Sequence, residues 1–276
     1  MTEAFPKLAD VIKRYGLAMK KSLGQNFILD YNVLEKIAKS SVLPISNSVV
    51  AEIGGGPGGL TRTILAQNPK HLYVMEKDSR CAQALQSIAA DNRNLTVIEG
   101  DALDADYAAL GVRQIVANLP YNVATPLLLI WLKMMLDGRL DGITVLVQKE
   151  VAQRICAAVD TADYGRLSVI AQYISIPQML FDLPPSVFTP PPKVTSTLVG
   201  FTKRDNAGMP LCDIADLEKA TAAGFAGRRK MLRQSLKPLG LDLAALGITD
   251  TLRAQNLDVN QWAVIASAIS EKRKEK

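Results

Sequence analysis

Five of the six residues from Gly54 to Gly59 are glycine, in the run Glu52-Ile53-Gly54-Gly55-Gly56-Pro57-Gly58-Gly59. Glycines at that density let a ligand approach the backbone and leave the N–H groups of a following helix open to it. Through Gly54, Gly56 and Gly59 the run satisfies G-x-G-x-x-G, a turn that holds nucleoside ligands. Glu76 stands twenty-two residues past Gly54, where a carboxylate can accept both hydrogen bonds of a ribose diol. Taken singly, such an acid could equally cap the next helix.

The same glycine run also satisfies E-x-G-x-G-x-G, the loop of S-adenosylmethionine methyltransferases, and by itself does not choose between the two. Asp101, in Gly100-Asp101-Ala102, shifts the balance because it is placed to accept from an adenine exocyclic amine. Asn118-Leu119-Pro120-Tyr121 carries it further. The exocyclic nitrogen of adenine is a poor nucleophile, since its lone pair is delocalised into the ring. An Asn118 side-chain oxygen and the Leu119 carbonyl could accept the two amine protons and aim that lone pair at a sulfonium methyl. Pro120 would stiffen the turn, and Tyr121 would offer its face for the base to stack on. Such a site needs positioning and electrostatics rather than a strong base.

These residues require a scaffold that brings strand ends together. Ser48 to Ile53, His71 to Met75, Leu95 to Ile98, Gln114 to Ala117 and Gly142 to Val147 are apolar, β-branched stretches. They alternate with the helical patterns Leu60 to Ala66, Arg80 to Ala90 and Pro126 to Leu136. That alternation predicts a parallel sheet covered on both faces, with ligands at its carboxyl edge. Helices are expected in the first forty residues, and further strands around Ala171 to Leu180 and Thr195 to Phe201. The prolines from Pro184 to Pro192 exclude a helix between those strands. Residues 203–209 read as a linker, and a helical pattern follows from Asp213. The expectation is an α/β domain over 1–202 and a small helical domain over 203–276.

With 276 residues, 48% hydrophobic and 21% charged, the chain can build a sizeable core. The apolar run Leu127 to Leu132 stops at Lys133, far short of a membrane span. Glu3 and Asp10 near the N-terminus argue against a secretory signal. Cys81, Cys156 and Cys212 are odd in number and far apart, which suits a reducing, cytoplasmic setting. One histidine, His71, argues against a His-based zinc site and a Ser-His-Asp triad. The net charge is +5, and residues 203–276 hold 13 basic against 9 acidic side chains. Arg228, Arg229, Lys230, Arg233 and Lys237 form a run without an acid, and Lys20 and Lys21 form a second cluster. Both suit a phosphate backbone, although either could be a solvated helix face.

The whole pattern resembles the small-subunit rRNA adenine dimethyltransferases of the KsgA/Dim type. The likeness rests on Leu23-Gly24-Gln25-Asn26-Phe27-Ile28, the glycine loop, Glu76, Gly100-Asp101-Ala102 and Asn118-Leu119-Pro120-Tyr121-Asn122. It continues through Gln148 to Arg154, Tyr164 to Val169 and Phe188-Thr189-Pro190-Pro191-Pro192-Lys193-Val194. The resemblance implies a Rossmann-like class I methyltransferase fold and two methylations on each of two adjacent adenines near the 3′ end of 16S rRNA. S-adenosylmethionine would be the donor, with no metal. Gln25, Asn26, Ile28, Gly54, Gly56, Glu76, Asp101 and Asn118 would line the donor site. Phe188 would stack on the target base opposite Tyr121, and Lys149, Arg154 and Arg166 would face RNA with the basic run of the small domain. The small ribosomal subunit or its precursor would be the partner of a monomeric, membrane-free enzyme. One departure is visible: the family usually shows E-I-G-P-G, whereas Gly55 stands here in the proline position and Pro57 follows two residues later.

Three rivals are set against this reading. An NAD-linked oxidoreductase explains the glycine loop and Glu76 but not Asn118–Tyr121. A nucleic-acid-binding factor that kept the fold without catalysis would not need those residues intact. An Erm-type large-subunit enzyme is disfavoured by the Tyr164–Val169 and Phe188–Val194 motifs.

Overall fold

The computed structural model describes residues 6–17, 26–205 and 208–274, without the side chain of Asn122. Lys20, Lys21 and Gln25 lie outside the described residues. The apolar stretches become β2 (Val49–Ile53), β3 (His71–Glu76), β4 (Leu95–Glu99), β5 (Gln114–Asn118) and β6 (Gly142–Gln148). Their neighbours run parallel throughout. With β7 (Ser175–Leu183) and β9 (Ser196–Lys203), the sheet has the order β4-β3-β2-β5-β6-β9-β7. β9 pairs antiparallel with β6. Residues of both faces are buried on the central strands, among them Val50 and Ala51, Val116 and Ala117, and Leu146 and Val147. That burial is why these strands read as continuous apolar runs rather than alternating ones.

Helices α3 (Gly59–Leu65), α4 (Ser79–Ala89) and α5 (Tyr121–Leu136) follow β2, β3 and β5. Asp78 caps α4 by accepting from the Arg80 N–H at 3.1 Å, which satisfies one of the orphan donors of the first turn. α5 begins five residues before the expected start at Pro126, with Pro120 as its cap. Pro126 sits inside the helix and forgoes only the bond to the carbonyl of residue 122. Ahead of the sheet lie α1 (Leu8–Arg14), β1 (Phe27–Ile28) and α2 (Tyr31–Lys39). β1 pairs antiparallel with β8 (Phe188–Thr189), matching Phe27 with Thr189 and Ile28 with Phe188. This two-strand ribbon joins two segments about 160 positions apart in the chain.

The chain divides into two compact units. The first comprises residues 1–152 and 178–203, the second residues 153–177 and 204–276. The expected cut at 202 is thus corrected, because residues 153–177 group with the C-terminal helices. α6 (Lys149–Ile155) ends in the second unit, which also holds α7 (Arg166–Ile174), α8 (Ile214–Phe225), α9 (Leu232–Ser235) and α10 (Val259–Lys274). The buried Tyr164 ring meets Phe225 edge-on, and Phe225 stacks on the buried Trp262. Gly224 makes room for that stack, since a Cβ there would lie 2.3 Å from the Trp262 ring. Ala171 to Ile174, expected as strand, belong to α7 instead. Burial on α7 of Val169, Ile170, Tyr173 and Ile174 favours the helix over the β propensity of those residue types.

Candidate active site

The carboxyl ends of β2 to β5 meet at one cavity of about 510 Å³ within the first unit. That size suits a nucleoside-containing ligand. The strand ends are pinned together: Gly54 N–H donates to the Met75 carbonyl at 2.8 Å, and Gly100 N–H to the Glu76 carbonyl at 3.0 Å. Gly54 and Gly56 take positive φ of 76° and 53°, a conformation that favours glycine. A Cβ at Gly54 would stand 3.0 Å from Leu119 Cδ2, and one at Gly56 3.1 Å from the Phe27 ring. The loop is therefore packed between Asn118–Leu119 and β1. At Gly55 the reason for glycine is steric: a Cβ would lie 2.4 Å from Val74 Cγ1 and 2.9 Å from Leu85 Cδ1. The departure from the proline pattern is thus matched by large side chains on β3 and α4.

Of the carboxyl groups that line the cavity, Glu76, Asp101 and Glu52 are in different states. Glu76 is nearly buried, and accepts from Gly56 N–H and Asp78 N–H at 2.8 Å each, one on each oxygen. Burial raises its pKa above the usual carboxylate value, and those backbone donors pull it part of the way back. Asp101 accepts from Lys77 Nζ at 2.7 Å and from Leu103 N–H at 3.0 Å. The Lys77 bond is the main reason its pKa is lowered. Lys77 also lines the cavity. The turn carrying Asp101 is braced by Tyr107, whose buried hydroxyl donates to the Ala102 carbonyl at 2.8 Å. Glu52 is fully buried, and neither carboxyl oxygen has a hydrogen-bond partner among the described residues. Desolvation pushes its pKa up to about 8; Thr61, close by without hydrogen-bond geometry, offsets part of this and the Glu76 charge adds to it.

Asn118 ends β5, paired with Leu146 of β6, and its half-buried side chain lines the cavity beside Leu119, Pro120 and Tyr121. Among the described residues its amide makes no hydrogen bond, so its donor and its acceptor are unspent at the cavity wall. The Tyr121 hydroxyl is held by Ser196 Oγ at 2.8 Å. Phe188, 4% exposed, both packs in the core and lines the cavity. Phe188 thus combines a core position with a place on the cavity wall. Asn26, Ile28, Gly54, Gly56, Glu76, Asp101 and Asn118 all line this one space. Sequence reasoning missed Phe27, Lys77, Tyr107 and Ser196; only Phe27 carried a signal, as part of the segment before β2.

The profile of the ribosomal RNA adenine dimethylase family matches residues 16–271. The chain belongs to that family. It is therefore a methyltransferase that uses S-adenosylmethionine to dimethylate adenine in ribosomal RNA. The chain is 47% identical to ribosomal RNA small subunit methyltransferase A of Rhizobium etli (strain CIAT 652), covering 97% of this chain and 98% of the relative. A dimethyladenosine transferase of Plasmodium falciparum superposes with a TM-score of 0.76 at 23% identity, over 88% of this chain and 97% of that one. The 23S rRNA methyltransferase ErmE gives 0.61 at 22%, over 89% and 100%. Both solved structures share the class I Rossmann-like methyltransferase fold, a mixed sheet with C-terminal helices.

Two basic residues expected to meet RNA, Lys149 and Arg228, also form bonds inside the dimethylase chain. Lys149 Nζ lies 2.7 Å from Asp182 Oδ2. Arg228 donates to the carbonyls of Ala162 and Tyr164, the latter at 3.2 Å, and so ties down the loop before α7. Its side chain is exposed even so, as are its neighbours in the basic run. Arg154, Arg166, Arg229, Lys230 and Arg233 are exposed. Among the described residues no three His, Cys, Asp or Glu side chains gather as a metal site, and no helix is long and apolar enough to cross a membrane.

Proposed function

We propose that the chain methylates the N6 amines of two adjacent adenines near the 3′ end of 16S rRNA, acting as a cytoplasmic monomer on the small ribosomal subunit or its precursor. The observation that carries this is the unspent Asn118 amide, set beside Glu76 and Asp101 in a single cavity. The cavity fits the donor chemically. Glu76 keeps lone pairs for a ribose diol, and Asp101 can accept from an adenine amine. The donor supplies an electrophilic methyl group on a sulfonium.

The chain's own residues do the rest by placement. Asn118 Oδ1 and the Leu119 carbonyl accept the two protons of the target amine and turn its lone pair toward the methyl. Preformed acceptors of this kind stabilise the positive charge that grows on nitrogen, with little reorganisation. Tyr121 and Phe188 hold the base plane from two sides, so the target must leave any stack to enter. Arg154, Arg166, Arg229, Lys230 and Arg233 meet the phosphates. Asn118→Ala tests the assignment. It should keep RNA affinity within about twofold and lower turnover by about a hundredfold or more, the scale of a lost charge-stabilising contact. Unchanged turnover would remove Asn118 from the chemistry.

A further inference from the structure

Tyr121 is the first residue of α5, and its half-buried ring lines the cavity. A ring used as a stacking platform must hold a fixed tilt, and its χ2 torsion is soft because sp³–sp² torsions have broad wells. The far end of this ring is fastened by the Tyr121 hydroxyl to Ser196 Oγ at 2.8 Å. Ser196 is 1% exposed and opens β9 opposite Gln148 of β6. The next residue anchors the strand end: Thr197 Oγ1 donates to Asp182 Oδ1 at 2.6 Å, while Asp182 Oδ2 accepts from Lys149 at 2.7 Å. The Ser196 hydroxyl therefore sits on a braced strand and reaches a residue 75 positions away.

We infer that Ser196 is a positioning residue that sets the tilt of Tyr121 and thereby governs the second methyl transfer to each adenine. This rests on reading Tyr121 as the base platform. In each transfer the sulfur–carbon bond breaks as the nitrogen–carbon bond forms, and the amine proton passes to water. Before the first transfer the amine has two protons for Asn118 and Leu119 to hold. Before the second it has one proton and a methyl group that must point elsewhere. Half of the hydrogen-bonded restraint is gone, so the stacked face carries a larger share of the orientation. Loss of the Ser196 anchor should fall hardest on that second step.

The test is a double-mutant cycle on the full chain with small ribosomal subunits as substrate. Ser196→Ala and Tyr121→Phe each remove one side of the hydrogen bond. Each should raise the ratio of monomethyladenosine to dimethyladenosine and lower kcat by about fivefold, the scale of one hydrogen bond, with KM for donor and RNA within about twofold. The double variant should be no worse than either single one. Effects that multiply in the double variant, or an unchanged product ratio in Ser196→Ala, would overturn the inference. Tyr121→Ala separates the two levels of the reading. If it leaves turnover intact, the platform itself fails and the inference falls with it. If it abolishes turnover while Ser196→Ala is silent, only the positioning role is lost. Melting curves of the four chains, expected to agree within a few degrees, separate positioning from misfolding; a collapsed Ser196→Ala chain would count against it.

Discussion

Gly56 and Glu76 are joined by a 2.8 Å hydrogen bond from backbone N–H to carboxylate, so the glycine loop and the ribose acceptor are set as one piece. Together with the Asp78 N–H bond to Oε1, it spends one lone pair on each oxygen of Glu76 and leaves the other on each for a ligand. It also fixes a negative group against the neighbouring, fully buried Glu52. Burial raises the Glu52 pKa, and the Glu76 charge raises it further.

Glu52 should therefore make the free protein less stable as pH rises. Its pKa is about 8 in the fold against 4.5 as the ordinary value. Between those values the folded chain holds a proton that the unfolded chain has released, so the contribution to stability falls with rising pH across that window. Glu52→Gln removes the titration. Its melting temperature relative to the wild type should climb from about pH 5 to about pH 8. Parallel profiles over this range would contradict the shifted proton.

Gly55 tests how the loop is accommodated. Gly55→Ala places a Cβ 2.4 Å from the branched Val74 Cγ1 and should cost about 1–3 kcal/mol as overpacking. Adding Val74→Ala should recover part of that loss in denaturant melts. A cost that Val74→Ala does not change would mean that the strain lies elsewhere in the loop.

Arg228 and Arg229 are neighbours with separable roles. Arg228→Ala loses the bonds to the Ala162 and Tyr164 carbonyls and should destabilise the chain by about 1–3 kcal/mol. Arg229→Ala and Arg233→Ala should leave the melting temperature alone and lower the salt slope of RNA binding by about 1 each. An Arg228→Ala chain of full stability with a reduced salt slope would show that Arg228 serves RNA rather than the loop.

The strands and their chemistry were readable because each buried strand is an apolar run that stops at a residue of another kind: Gly54, Glu76, Gly100 or Asn118. A parallel sheet aligns those stops at one edge, which is how Glu76, Asp101 and Asn118 come to share a cavity. The ribbon of β1 and β8 was not readable, since two-residue strands carry no periodicity and their pairing is long-range. The bonds from Ser196 to Tyr121 and from Tyr107 to Ala102 depend on hydroxyl positions that no spacing encodes. Charge patterning marked Arg228 as a cation, and the family resemblance marked Lys149, but neither signal could show the bonds to the Ala162 and Tyr164 carbonyls or to Asp182. The domain cut failed at residues 153–177 because Tyr164 finds its core partner at Phe225, far along the chain.

The most direct measurement is methyl transfer from labelled S-adenosylmethionine to purified unmodified small subunits, with large subunits alongside and nucleoside analysis of the product. The account predicts N6-dimethyladenosine in the small subunit alone, at two adjacent positions near the 3′ end of its RNA. Label on the large subunit, or none on either while the donor still binds, would contradict it.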